Sequence, residues 1–350
     1  MPSLANSSKA HGKTLKSITN FTLLRSYGLT ILRSYALTVL RSYDFTVLQT
    51  MNFKPIEIED KAAITAFTYS SHLSNCDYAF ANMCSWRFFY HSEYAIKNGF
   101  LFIRFYVEEK GHKHLAYMFP VGNGELKQAI ELMEKDAEAF GHPLLLLGVT
   151  PENIQKLNTL FPDCFTTILE RDYFDYIYLR DDLAMLKGKK LQPKRNHINQ
   201  FKKQYDYIYL PVTEKIIPEC MTLARAWYES NKVEENNEEL IHERHSMNFA
   251  LEHFDALGLL GGAITVDNKI IAFTYGSPIN DQTFGIHIEK ADVRYEGVFS
   301  VISQEFAKQI PPQYVYINRE EDLGIPGLRK SKLSYYPHLL LEKNTAIKRR

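Results

Sequence analysis

From Met51 onward the same order of helix-period and strand-period segments is written twice, and few architectures accept such a duplication. In the first pass a helix is expected over 64–75, and strands over 100–107 (FLFIRFYV) and 114–120 (HLAYMFP) flank a polar turn near Gly111. Residues 125–140 place Leu126, Ile130, Met133 and Ala137 on one helical face, with Gly141 as the stop. A continuous apolar strand at 143–148, a helix from Pro151 and an aromatic-rich strand at 173–179 complete this pass. The second pass has helices at 216–230 and 238–257, a hairpin of 261–266 with 270–275, and a third strand at 283–289. A helix at 296–309, a strand at 314–318, a loop and short helix over 320–334 and a strand at 337–342 follow. Each pass predicts an α/β (α+β) module, a mixed and mostly antiparallel sheet flanked by helices. The modules are expected to divide as 51–186 and 206–350, joined by a basic segment at 187–205.

Residues 1–50 stand outside this pattern. Residues 21–52 repeat with a period of eight: FTLLRSYG, LTILRSYA, LTVLRSYD, FTVLQTMN. As a helix each repeat turns by about 80°, so no fixed apolar stripe survives, and as a strand the two faces are not separated. Two readings stay open: an Arg- and Ser-rich transit peptide, or a translated tandem DNA repeat upstream of a start at Met51. The leader carries six basic groups against Asp44, so the remaining chain has 35 of the 41 Lys and Arg and 40 of the 41 Asp and Glu. That balance excludes bulk basic attraction to nucleic acid. The cysteines Cys76, Cys84, Cys164 and Cys220 form no CxxC pair and read as reduced thiols of a cytoplasmic protein. The longest apolar runs are far too short for a bilayer span, so no transmembrane segment is expected.

The run Tyr316-Ile-Asn318-Arg319-Glu320-Glu321-Asp322-Leu-Gly-Ile-Pro-Gly-Leu-Arg329-Lys-Ser-Lys332 resembles the closing signature of the phosphatidylglycerol lysyltransferase C-terminal domain family (DUF2156). The strand FGIHIEKAD at 284–292 and the basic run GKKLQPKRNHINQF at 188–201 are similar to that family too, and the resemblance covers 51–343. It implies two domains like the Gcn5-related N-acetyltransferase (GNAT) fold, with the active cleft in the second. The wider group uses aminoacyl-tRNA as donor and passes an amino acid to a lipid or peptidoglycan amine or hydroxyl. What it implies here is an acyl- or aminoacyl-transferase whose co-substrate is an acyl group on a polyanionic carrier, tRNA or coenzyme A. No tightly bound cofactor and no metal are expected. The alternative is a catalytically degenerate binding module for RNA, an amino acid or a lipid headgroup.

Lys187, Lys189, Lys190, Lys194, Arg195, Lys202 and Lys203 are seven cations without an acid between Asp182 and Asp206. They suit a phosphate-bearing carrier or, equally, a solvated linker. Helical spacing puts Arg195 and Asn199 on one side with Lys202. Arg319, Arg329, Lys330 and Lys332 form a second cationic group, and Asn318 stands beside it. Coenzyme A-dependent GNAT enzymes carry a [QR]-x-x-G-x-[GA] turn that holds pyrophosphate at a helix N-terminus. Arg294-Tyr-Glu-Gly297-Val-Phe299 matches up to Gly297 and fails at Phe299, and Glu296 adds an unfavourable charge. Acyl transfer needs a proton acceptor and a leaving-group donor. Glu289 at a strand end and Glu320, Glu321 and Asp322 are the candidate carboxylates, with helix capping the competing role for the latter three. Tyr335 is a candidate proton donor, against a packed aromatic ring. His242 and His245 read as part of a solvated acidic face rather than a metal site. No nucleophile elbow, P-loop or Rossmann fingerprint occurs.

Overall fold

The computed structural model describes residues 51–109, 111–230 and 238–349. The octapeptide leader lies outside the described residues. The chain opens with strand β1 (Lys54–Pro55), helix α1 (Lys61–Thr68) and helix α2 (Phe80–Ser85). Strands β2 (Glu93–Lys97), β3 (Phe100–Glu109), β4 (His112–Met118) and β5 (Val121–Gly122) follow. Then come α3 (Leu126–Ala139), β6 (Leu145–Val149), α4 (Pro151–Leu160), β7 (Phe165–Leu169) and β8 (Asp175–Leu179). Helix α5 (Gln192–Gln204) and strand β9 (Tyr207–Pro211) lead to α6 (Ile217–Ser230) and α7 (Glu238–Glu252). The second module continues with β10 (Leu260–Val266), β11 (Lys269–Pro278), β12 (Thr283–Ala291), α8 (Val298–Gln309) and β13 (Tyr316–Asn318). It closes with α9 (Pro326–Leu333), β14 (Leu339–Leu341) and β15 (Asn344–Lys348).

Both modules share one plan, the GNAT-like order expected from the repeat. Three antiparallel strands (β2–β3–β4 and β10–β11–β12) lead through a helix (α3 and α8) to a strand that pairs parallel to the third, β6 beside β4 and β13 beside β12. Alternation along each strand feeds two apolar layers. Phe102 and Leu115 face α3 and α4, whereas Leu101 and Ile103 face a middle layer shared with α1, α2, α6 and α7. In the second sheet Phe273 and Tyr275 enter that middle layer, while Ile271 and Phe284 pack under α5 and α8. About 25 cal/mol per Å² of apolar area favours each layer, and the middle one holds the modules together.

The modules do not separate at 187–205. Among the described residues, the first sheet runs β1-β2-β3-β4-β6-β15-β7, with β5 on β3, and the second runs β14-β8-β13-β12-β11-β10-β9. Strand β8, expected in the first module, lies between β13 and β14 of the second. Strand β15, which follows the last expected strand, lies between β6 and β7 of the first. Each module thus completes the other's sheet, because the final strand of each finds its hydrogen-bonding gap only across the molecule. The basic segment is no solvated linker either: α5 buries Ile198 and Phe201 against the layer under α8. All four cysteines are free. Among the described residues no helix is long and apolar enough to cross a membrane.

Candidate active site

Strands β12 and β13 pair only from Thr283 to Gly285. Beyond that point β12 runs on to Ala291, while the chain leaves β13 at Asn318. A bulge on β12 sharpens the divergence: Tyr275 pairs with Ile288 but Gly276 with Ile286, so His287 is left over. Bulges of this kind re-aim side chains near functional sites. The signature run spans the splay, and Asn318 to Asp322 each engage a different partner.

Arg319 reaches Glu289 across the splay, Nη2 to Oε1 at 3.2 Å, with side chains only 11% and 13% exposed. Among the described residues, the buried atoms Glu289 Oε2 and Arg319 Nη1 have no hydrogen-bond partner. Unsatisfied charged atoms are costly and rare in folded proteins, so this pair calls for a ligand. Lys194 of α5 lies over the Tyr335 ring at 3.9 Å, and the Arg319 guanidinium lies 5.0 Å from the same ring. Lys332 is buried and donates to the carbonyls of Arg319 and Glu321. Burial pushes the Glu289 carboxyl up, against the pull of Arg319, Lys332 and Lys194. Burial, aided by Arg319, pushes Lys194 down to about 8. The splay therefore holds a base-competent carboxylate, a guanidinium and an amine that titrates near neutrality.

Glu320 points to the other face of β12. Its left-handed backbone (φ 58°) is held by a bond from its own N–H to Asn318 Oδ1 at 2.6 Å. Its carboxylate takes Asn82 Nδ2–H at 2.8 Å and faces His287 Nδ1 at 2.8 Å. The opposite ring nitrogen, Nε2, lies 2.7 Å from Ser277 Oγ. Ser277, His287 and Asn82 escaped the sequence reading. His287 alone left a trace there, standing two residues before Glu289 in the quoted strand.

Glu321 and Asp322 build the frame. Lys343 sits within 3.0 Å of Asp77, Asp175 and Glu321, and 3.5 Å from Cys76 Sγ. Cys76, Asp77 and Glu321 have metal-ligand types within 4.8 Å of one another, but this ammonium lies among them. Burial, joined by Glu321 and Asp77, pushes Asp175 up to about 7 against the pull of Lys343. Asp322 is wholly buried and accepts from Tyr176, Arg171 and Arg329. Burial disfavours its charge, but these bonds outweigh burial and hold its carboxyl well below the usual range. Asp322 does not cap α9, whose N-cap is Ile325 without a side-chain bond; its Oδ1 takes the Gly324 amide instead. Both acids therefore leave the catalytic set.

Several expected donor contacts are not brought to the splay. Arg195 turns back on the carbonyls of Leu186 and Gly188, closing the end of the short helix Arg180–Met185. Asn199 is exposed, Lys202 pairs with Glu305 at 3.7 Å, and Arg294 pairs with Asp292 on the surface. Arg329 is tied to Asp322 and Asp172. Asn318 is buried and bonds Asp175 at 2.7 Å. Gly297 does start α8 with φ 87°, but a Cβ there would lie 2.8 Å from the His197 carbonyl, so α5 packs closely against this turn. Tyr335 is buried, with its hydroxyl 3.5 Å from Ser300 Oγ. His242 and His245 stack on Phe89 and Phe88 and line a cavity of about 570 Å³ with Trp86 and Tyr106; the acidic run at 234–235 expected beside them lies outside the described residues.

Among curated proteins no sequence matches the chain. A conserved protein of unknown function from Bacteroides thetaiotaomicron is 48% identical, with 86% of this chain and all of that one covered and a TM-score of 0.83. The DUF2156 C-terminal domain of a protein assigned as a lysylphosphatidylglycerol synthetase from Agrobacterium fabrum is 12% identical, covering 83% and 91%, TM-score 0.58. L-PGS from Bacillus licheniformis is 13% identical, covering 83% and 92%, TM-score 0.56. At those identities the last two likenesses show the fold. The model of the family described as phosphatidylglycerol lysyltransferase, C-terminal, matches residues 70–347, nearly the whole described chain. With its tandem sheets and the signature run spanning the splay, the chain belongs to the phosphatidylglycerol lysyltransferase C-terminal family.

Proposed function

We propose that this protein transfers an acyl or aminoacyl group from a carrier to an amine or hydroxyl at the β12–β13 splay. One observation carries the reading: among the described residues, the buried Glu289–Arg319 pair keeps one carboxylate oxygen and one guanidinium nitrogen without partners. Glu289 Oε2 takes the proton of the attacking amine as its nitrogen bonds to the acyl carbon; the bond from that carbon to the carrier's oxygen or sulfur then breaks, and the carrier leaves with the proton from Glu289. Arg319 Nη1–H stabilises the oxygen charge that develops on the acyl carbonyl, in a site shielded from water. Lys194 holds an anionic group of the donor. Phe299, Glu296 and the packing of α5 on Gly297 weigh against coenzyme A in its usual turn and favour an aminoacyl ester. The synthetase named in the Agrobacterium relative is consistent with that choice.

Single-turnover transfer from labelled aminoacyl-tRNA and acyl-coenzyme A, against a panel of amine and lipid acceptors, tests the reading. Transfer from neither donor, with binding detected by thermal shift, would establish the binding-module alternative. Lys194 adds a pH signature. Its amine is cationic below about 8, so the donor KM should climb as pH rises through that value. Lys194→Arg should abolish the climb, and Lys194→Ala should raise KM by about tenfold at pH 7. A flat wild-type KM between pH 7 and 9 removes Lys194 from donor binding.

A further inference from the structure

We propose that Ser277 is the acyl-accepting nucleophile of a second catalytic site, driven by His287 and positioned by Glu320, that cleaves small activated esters or thioesters. The hydrogen bonds run in the order a nucleophile needs. Ser277 Oγ lies 2.7 Å from His287 Nε2, and Nδ1 of the same ring lies 2.8 Å from Glu320 Oε1. With Nδ1–H given to the carboxylate, Nε2 is left to accept the hydroxyl proton. The three residues come from β11, β12 and the turn after β13, so no local spacing announces them. Recognition of such a group rests on geometry and roles rather than on chain order.

Each member is held from outside. His287 is the extra residue of the β12 bulge. Glu320 adopts a left-handed backbone secured by Asn318, and Asn82 fixes its carboxylate from the first module. Strain at a non-glycine residue in this region persists only where the surroundings impose it. Gly276, next to Ser277, admits no side chain: a Cβ would lie 1.9 Å from the Gly285 carbonyl. Ser277 is 2% exposed, which limits the acyl group to a small one. The group faces the middle apolar layer beside Tyr275, whereas Glu289 and Arg319 face Tyr178 and Tyr335 in the layer under α5 and α8. It is therefore a site apart from the transfer site.

In the first step Ser277 Oγ bonds to the acyl carbon as its proton moves to His287 Nε2. The bond from that carbon to the alcohol oxygen or thiol sulfur breaks, and the leaving atom takes the proton from Nε2. Water then attacks the Ser277 ester and passes one proton through His287 to Ser277 Oγ, which leaves as the restored hydroxyl. The product is the free carboxylic acid, and no further reactant is consumed.

The full-length protein mixed with p-nitrophenyl acetate should release a stoichiometric burst of p-nitrophenolate. After an acid quench, peptide mass spectrometry should find the acetyl group on Ser277. Ser277→Ala should remove both the burst and the mark, and His287→Gln should slow the burst at least about 100-fold. Glu320→Gln, acting through the ring, should lower the acylation rate constant without raising the ester concentration at half-saturation. An unmodified Ser277 in folded wild-type protein, or an undiminished burst in Ser277→Ala, overturns the proposal. Either result leaves the Glu289 reading standing, since that reading is tested separately, by transfer from the donor panel and by Glu289→Gln.

Discussion

Glu289→Gln is expected to fold like the wild type and to lose about 10²–10⁴-fold in the rate of acyl transfer. The amide keeps the shape of the carboxyl and one acceptor oxygen for Arg319, but it cannot take a proton from an attacking amine. The wild-type carboxyl is set up for that task by two opposed effects. Burial raises it, while Arg319, Lys332 and Lys194 keep it from becoming a permanent acid. If Glu289 only balanced the charge of Arg319, the same substitution would leave turnover intact and lower stability, because a buried guanidinium would lose its counter-ion. Single-turnover rates beside a urea unfolding curve separate the two cases. Wild-type rates in a destabilised Glu289→Gln protein would place Glu289 in the frame.

The second large effect is expected at Lys343. Lys343→Met should cost about 3–5 kcal/mol of unfolding free energy, read as a lower urea midpoint at unchanged m-value. The substitution keeps much of the side-chain volume but leaves Asp77, Asp175 and Glu321 facing one another with no cation between them. Asp175 supplies a pH signature for the same cluster. Its folded pKa, about 7, lies above its unfolded value, so its contribution to stability is complete below about 4 and is lost as pH rises through 7. Asp175→Asn should remove that part of the decline. A Lys343→Met protein of wild-type midpoint would show that the acids relax toward water without the lysine.

The order of elements within each module was legible because buried faces impose periods of 2 and 3.6 on apolar residues. Pairing across the molecule imposes no period. The strand at 173–179 announced itself by its aromatics, yet nothing in its residues says that it pairs with Tyr316–Asn318 rather than with its own module. Strand β15 (NTAIK) was missed because it is short and polar, and only Thr345 and Ala346 are buried. At the site, Glu289, Arg319, Lys332, Lys194 and Tyr335 came from a signature and from unusual charge density, and they do meet. Arg195 follows Lys194 directly, but one helical residue turns the side chain by about 100°, and it points to a helix end instead. Arg329 was counted among free cations because sequence does not show that Asp322 and Asp172 neutralise it. Ser277 and Asn82 lie far from Glu320 in the chain, so only the folded backbone could bring them to it.

The reciprocal placement of β8 and β15 sets a timetable for biosynthesis. Domains generally fold as units while the ribosome is still at work, the N-terminal one first. Here the opening between β6 and β7 receives its strand only when Asn344–Lys348 has been made. The earlier module must therefore wait, with two unpaired strand edges, until that stretch has been translated. Any nascent chain stopped before that point presents those edges to whatever binds exposed backbone, which gives chaperones a defined target and makes the arrival of β15 the committing event in maturation.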